Sequence, residues 1–227
     1  MEGFILAAGL GTRLRPLTDD RPKALVEIEG ITLLERTIRR LEAADIGHIV
    51  INVHHFADKV IDFVHSRQWQ ASLDISDERA LLLDTGGGLK HAARFFSGED
   101  NVLIHNVDIL SDIDLQDVER QHREQGNLVT LCVSRRHTKR LLAFDADRRL
   151  TGRSETGLAF SGISMASPQL FGLLPEATVP YPIIDEYITL TKHYPIRYYE
   201  HNAERWLDVG KSETLEKAHQ WMHSSNR

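Results

Sequence analysis

The hydrophobic positions of the chain fall into two periods. Short, nearly continuous apolar runs at residues 3–7, 48–53, 71–76, 101–105 and 128–133 predict strands. The run at 101–105 lacks the polar alternation of a half-exposed strand and fits a parallel strand covered on both faces. Between these runs the apolar residues recur every three or four positions. Leu33, Leu34, Ile38 and Leu41 mark one helical face, and Glu35, Arg36, Arg39 and Arg40 are expected on a solvated opposite face. Further helices are expected at 58–65, from the glycines at 86–88 to about 95, and at 115–124.

Strands alternating with helices predict right-handed βαβ units. The second half is less regular. Strands at 141–144, 149–153 and 158–164 are expected to be partly antiparallel, with helices at 168–173, 182–191 and 212–223. No repeat or linker interrupts the chain, so the expected fold is α/β: one domain over 1–227, Rossmann-like, with a doubly wound mixed sheet. Ligands of such sheets bind beyond the carboxyl ends of the strands.

Composition adds limits. A chain of 227 residues can bury a core without a disulfide or metal staple. Its net charge of -6 argues against a broad nucleic-acid surface but leaves room for a local basic pocket. Cys132 lies in an apolar run and is expected to be buried. The N-terminus has no basic-then-apolar leader, and no run reaches the roughly 20 apolar residues of a membrane span. A cytoplasmic protein without membrane or nucleic-acid partners is expected. The 12 histidines include the adjacent His54 and His55 and the scattered His91 and His105, but no ligand spacing. They are expected to be hydrogen-bonded or solvated.

The chemistry concentrates in three places. After the first strand comes Leu6-Ala7-Ala8-Gly9-Leu10-Gly11-Thr12-Arg13-Leu14-Arg15-Pro16-Leu17-Thr18, followed by Pro22-Lys23. Glycine permits unusual backbone angles, and successive amides in such a loop can cradle phosphate oxygens. Arg13 and Arg15 add guanidinium groups, and Lys23 adds a point charge. The loop lacks the Gly-Lys-Ser/Thr ending of a Walker loop, and Leu14 stands where a dinucleotide fingerprint has its third glycine. As two glycines after a strand it is also compatible with an ordinary βα turn. The other two places are Asn106-Val107-Asp108 and Trp206-Leu207-Asp208-Val209-Gly210. Taken singly, either aspartate could cap a turn. Taken together, two carboxylates suit Mg²⁺, which prefers oxygen ligands shared with phosphates.

The full string resembles the signature of the sugar-1-phosphate nucleotidyltransferases, roughly LAAGxGTRLxPLT followed by PK, and the later motifs follow in the same order. The resemblance implies transfer of a nucleotidyl group from a nucleoside triphosphate to a sugar 1-phosphate, with release of pyrophosphate. It implies Mg²⁺ on Asp108 and Asp208. It implies Arg13 on the β- and γ-phosphates and Lys23 on the α-phosphate and incoming sugar phosphate. Ala7, Ala8, Gly9, Gly11, Thr12, Gly86, Gly87 and Asn106 are the matching nucleotide-binding candidates. In Asp84-Thr85-Gly86-Gly87-Gly88 the glycines are expected to let a base lie against backbone. Phe160-Ser161-Gly162-Ile163 resembles the sugar-side strand, which makes Ser161 and Gly162 candidates, with Arg153 and Glu155 nearby. Val107 departs from the usual glycine before the aspartate and puts the local loop shape in question.

Within the family, the Thr-Gly-Gly-Gly and Phe-Ser-Gly-Ile patterns look most similar to the branch that uridylylates N-acetylmuramate 1-phosphate in cell-wall recycling. Mannose- and heptose-1-phosphate guanylyltransferases are the rivals. No hexapeptide β-helix repeat is present, so no fused acetyltransferase is expected. A phosphocholine cytidylyltransferase would need an aromatic cage, for which Trp69, Tyr181 and Trp206 are available. A regulator that only binds nucleotide sugar would not need both carboxylates. The base, the sugar and the oligomeric state stay open at this level.

Overall fold

The computed structural model describes residues 1–225. The first half contains β1 (Glu2–Leu6), β2 (Glu27–Ile28), β3 (Ile31–Thr32), α1 (Leu33–Glu42), β4 (His48–Val53), α2 (Ala57–His65), β5 (Ser72–Asp77) and α3 (Asp84–Ala92). Next come β6 (Val102–Asn106), β7 (Ile109–Ser111), α4 (Leu115–Glu124) and β8 (Val129–Ser134). The second half adds β9 (Leu141–Phe144), β10 (Leu150–Ser154), β11 (Leu158–Ala166), α5 (Gln169–Leu173), α6 (Ile183–Leu190), β12 (Ile196–Glu200), β13 (Trp206–Asp208) and α7 (Ser212–Ser225).

The main sheet has nine strands, in the order β10-β9-β11-β6-β1-β4-β5, with β8 on β11 and β12 on β8. The strands β5, β4, β1 and β6 are mutually parallel, while β11 runs antiparallel to β6. This is the expected doubly wound mixed sheet. Alternate residues of the parallel strands feed two cores, as the two-residue period of a strand requires. Ile5, Ile49, Ile51 and Leu103 pack with Leu34, Ile38 and Leu41 of α1 and Val60 and Val64 of α2. Phe4, Val50, Val102 and Ile104 pack with Leu89 of α3, Leu170 of α5 and Tyr187 of α6.

Local chemistry fixes the helix starts. The hydroxyl oxygen of Thr32 accepts from the Glu35 amide at 3.1 Å and caps α1. The Asp114 carboxylate accepts from the amides of Gln116 and Asp117 and caps α4. Such caps satisfy amides that the helix itself leaves unpaired.

Three features depart from the sequence expectations. The glycines at 86–88 lie inside α3 rather than ahead of it. The arginines of α1 are not all solvated: Arg36 donates to the Ile28 carbonyl and Arg40 to the Ile113 carbonyl, and only Arg39 is exposed. Three short pairings have no sequence signal: the β2–β3 hairpin, the β7–β13 ribbon, and β12 alongside β8. Cys132 is buried as expected, and burial pushes its thiol up to about 12.

Candidate functional site

The carboxyl ends of β1, β4 and β6 open onto a cavity of about 400 Å³. Ala7, Ala8 and Gly9 form one wall, Asn106 and Asp108 a second, and Leu82, Asp84 and Thr85 a third. An α-carbon hydrogen is all that Gly9 presents, and a Cβ there would meet nothing within 4 Å. The amides of Ala7 and Ala8 are committed, since both donate to Asn52 Oδ1, at 2.7 and 3.2 Å. The part of the loop that remains for a ligand therefore starts at Gly9. At Gly11 the backbone takes φ +66°, with Lys23 Cβ close beneath it. Thr12 is exposed and opens the single 3₁₀ turn Thr12–Leu14, which carries Arg13 outward.

Four sequence-predicted residues cluster around Asp108: Lys23 and Asp108 line this cavity, and Asp208 and Arg13 stand beside them without lining it. Pro22 breaks the chain ahead of the turn Lys23–Leu25, and the Lys23 ammonium forms an ion pair with the Asp108 carboxylate; each side chain is about one-eighth exposed. Asp208 arrives from the far end of the sequence on β13, which pairs with β7 so that Asp208 stands opposite Ile109. A Cβ on Gly210 would lie 2.7 Å from an Arg13 guanidinium nitrogen and 2.7 Å from Asp208 Oδ1. The glycine therefore lets Arg13 and Asp208 crowd the same spot. Burial, followed by the negative charge of Asp108, pushes the Asp208 carboxyl above the usual range, and Lys23 and Arg13 act the other way. Val107 is 4% exposed, packs in the core with residues of α1 and forms part of the cavity lining between Asn106 and Asp108.

The remaining predicted residues are placed differently. Gly86 and Gly87 do not line the cavity. Their missing side chains make room for tertiary packing: a Cβ on Gly86 would lie 2.4 Å from the Tyr181 ring, and one on Gly87 3.0 Å from Leu83. The Gly86 amide already donates to the Tyr181 carbonyl. Asp84 and Thr85 take the wall position instead, and Thr85 Oγ1 accepts from the Ile183 amide at the start of α6.

On the sugar side, Ser161 is fully buried and its hydroxyl is used up. It accepts from Arg136 at 2.9 Å and meets His201 Nε2 at 2.7 Å. The other His201 nitrogen faces the Asn202 carbonyl and must donate, so Ser161 is the donor to Nε2. Gly162 takes φ +75° in an irregular stretch of β11. The space its side chain would fill is occupied by Ile109 and the Asn106 amide, not left for a sugar. Arg153 is exposed and paired with Asp185, Glu155 is exposed on the following turn, and neither lines the cavity.

Sequence reasoning passed over Asn52, Glu78 and Arg136. Glu78 is 2% exposed, and burial pushes its carboxyl upward against the hydrogen bonds from Asn52 and Leu83. The Arg136 guanidinium stacks 3.8 Å over the Trp206 ring and donates to Ser134, to Ser161 and to the carbonyls of Ala159 and Phe160. Burial lowers it to about 10, opposed by the charge of Asp208. Asn52 and Asn106 stand in register on either side of Leu6, a relation that only the pairing of β4 and β6 with β1 reveals.

Trp69, Tyr181 and Trp206 form no cage: they pack separately on Phe63, Gly86 and Arg136. Among the described residues no cluster of three or more histidine, cysteine, aspartate or glutamate side chains is arranged to hold a metal, and no helix is long and apolar enough to cross a membrane.

A sequence model described as Nucleotidyl transferase matches residues 2–143. The chain belongs to the nucleotidyl transferase family. Among its relatives is the N-acetylmuramate alpha-1-phosphate uridylyltransferase of Caulobacter vibrioides, 50% identical over 108 residues, or 46% of this chain and 44% of that protein. The protein of the same name from Neisseria meningitidis serogroup B is 28% identical over 235 residues, covering 96% of each chain. A mannose-1-phosphate guanyltransferase of Gibberella zeae is 33% identical over 60% of this chain and 38% of its own length. The chain thus spans less than half of the Caulobacter and Gibberella proteins it matches. Among solved structures, HddC from Yersinia pseudotuberculosis superposes with a TM-score of 0.82 at 21% identity, over 97% of this chain and 99% of that one. That likeness concerns the fold of this nucleotidyl transferase family member.

Proposed function

We propose that this chain transfers a nucleotidyl group from a nucleoside triphosphate to a sugar 1-phosphate, giving a nucleotide sugar and pyrophosphate, with UTP and N-acetylmuramate 1-phosphate as the substrates. The observation that carries the reaction class is the clustering of Arg13, Lys23 and Asp208 around Asp108, which with Lys23 lines the cavity. The uridylyl choice rests on the two N-acetylmuramate relatives, one of which matches over nearly its full length. The mannose-1-phosphate guanyltransferase relatives support GTP as the second reading.

The residues present fit a divalent cation. Asp208 Oδ1 is buried without a hydrogen-bond partner, and its carboxylate faces the like charge of Asp108 with only part of that charge offset by Lys23 and Arg13. Asp108 and Asp208 would hold Mg²⁺, and the ion, when bound, supplies positive charge against the crowded phosphate oxygens.

The chain's own groups do the rest by position and charge. The loop from Gly9 to Arg13 takes the triphosphate, with Arg13 on the β- and γ-phosphates. The apolar face of Leu82 and Pro180, with Asp84 and Thr85, takes the base. Lys23 bridges the α-phosphate and the incoming sugar phosphate, and Asn106 stands beside the reacting groups. A phosphate oxygen of the sugar 1-phosphate bonds to the α-phosphorus, and the bond from that phosphorus to the β-bridging oxygen breaks. Its electron pair leaves with pyrophosphate. The nucleophile is already ionised, so no general base is needed, and catalysis is charge stabilisation and alignment. The residues 1–227 act as one unit in this reading, and a cytoplasmic location goes with it.

Pyrophosphate release with Mg²⁺, a panel of UTP, GTP, CTP, dTTP and ATP, and pooled sugar 1-phosphates tests the proposal. Release that is fastest with UTP and N-acetylmuramate 1-phosphate is expected. No release with any pair sinks the enzyme, and a preference for GTP sinks the uridylyl assignment.

A further inference from the structure

Glu78 is a buried carboxylate in the cavity wall that the proposed chemistry does not use. A charge there must be matched by donors. Each of its oxygens has one: Oε1 accepts from Asn52 Nδ2 at 2.8 Å, and Oε2 from the Leu83 amide at 3.2 Å. Asn52, also 2% exposed, turns its other end to the loop after β1 and accepts both the Ala7 and Ala8 amides. An unbroken chain of hydrogen bonds thus runs from the phosphate-side loop, through Asn52 and Glu78, to the residue that precedes α3. Its two ends hold two segments that line the same cavity, Ala7–Ala8 and the residues around Leu83. The third glycine of α3 is shaped to this pair: a Cβ on Gly88 would lie 2.7 Å from Glu78 Oε1 and 3.0 Å from Asn52 Nδ2.

We propose that Asn52 and Glu78 are positioning residues that set the spacing between the loop receiving the phosphates and the wall receiving the base, and thereby the affinity for nucleotide. This rests on the nucleotidyl-transfer reading. Buried networks of this kind have a fixed polarity, because every donor must meet an acceptor. In E78Q the new amide nitrogen must face either the Asn52 amide nitrogen or the Leu83 amide, donor against donor. In N52D two carboxylates meet where an amide and a carboxylate stood 2.8 Å apart. The double variant N52D/E78Q repairs both faults. The glutamine amide at 78 donates to the aspartate at 52 and accepts from Leu83, while the new carboxylate still accepts from Ala7 and Ala8. Net charge is unchanged.

The test is calorimetric binding of UTP and GTP to the wild type, both single variants and the double variant, with the Michaelis constants for nucleotide and sugar phosphate and the unfolding midpoint. Each single variant is expected to weaken nucleotide binding by about tenfold or more, with the sugar-phosphate constant within about twofold. The double variant is expected within about threefold of wild type. Should a single variant fail to fold, recovery of a folded, nucleotide-binding double variant is the readout. Nucleotide affinity in E78Q within about twofold of wild type, or a double variant no better than the worse single one, overturns the proposal. Wild-type protein that binds nucleotide but releases no pyrophosphate overturns the activity and leaves this comparison standing; wild-type protein that binds no nucleotide overturns both.

Discussion

The amide of Val209 donates to the carbonyl oxygen of Asp108 at 2.8 Å. One main-chain bond therefore joins the two segments that carry the site's carboxylates, and the β7–β13 ribbon continues the pairing away from it. The distance between Asp108 and Asp208 is thereby set by backbone rather than by two flexible side chains.

Asp208→Asn separates function from stability. The carboxyl of Asp208 is pushed up by burial and by Asp108, so it opposes folding at neutral pH. Pyrophosphate release should fall by about 100-fold or more. The thermal unfolding midpoint of the metal-free protein, read by calorimetry, should stay level or rise. A marked drop in the midpoint would show the carboxylate to be structural.

Two glycine substitutions should act differently. Gly210→Ala forces Arg13 and Asp208 apart, since both lie 2.7 Å from the added Cβ, and turnover should fall between about 10- and 100-fold. Gly9→Ala meets nothing within 4 Å in the protein itself, so the unfolding midpoint should hold. Its methyl enters the space assigned to phosphates, and the nucleotide Michaelis constant should rise by about tenfold, a change that steady-state kinetics would detect.

Ser161→Ala tests whether this serine binds sugar or holds the fold. Its hydroxyl joins Arg136 to His201, and removing it leaves His201 Nε2 without its donor, while Arg136 keeps Ser134 and the carbonyls of Ala159 and Phe160. Denaturant unfolding should show a loss of about 1–3 kcal/mol. The sugar-phosphate Michaelis constant, measured on the folded fraction, should change little.

Stability should fall as the medium is made acidic. His105 and His122 are buried and neutral in the fold, lowered by burial to about 3 and about 4 from 6.5. Below pH 6.5 the unfolded chain takes up protons that the folded one refuses, so the contribution of these groups is full above that pH and is lost as pH falls. Each contributes a slope of about 1.4 kcal/mol per pH unit between its two values. His48 is shifted the other way: burial lowers it, but Glu2 and Asp74 outweigh that and the net shift is upward. It is protonated in both states well below pH 6.5 and adds no slope there. Urea unfolding at pH 7, 6 and 5 would show the effect, and equal stability across that range would contradict it.

How much of this was legible in the sequence depended on how local the cause was. The strand His48–Val53, the helices Leu33–Glu42 and Leu115–Glu124, and the strand Leu141–Phe144 fall where the apolar pattern placed them. Apolar period acts within a few residues, and the chain writes it directly. The loop after β1 and both aspartates could likewise be singled out as candidates from the residues, because Gly9, Gly11, Lys23, Asp108 and Asp208 are chemically distinctive. Tertiary structure alone decided what the glycines of α3 are for, since Gly86 answers to Tyr181 and Gly88 to Glu78. It decided that Ser161 is spent on Arg136 and His201, and that strands as short as β7 and β13 pair at all. Those outcomes depend on which distant side chain arrives to fill a space or meet a donor, and no run of neighbouring residues encodes that arrival.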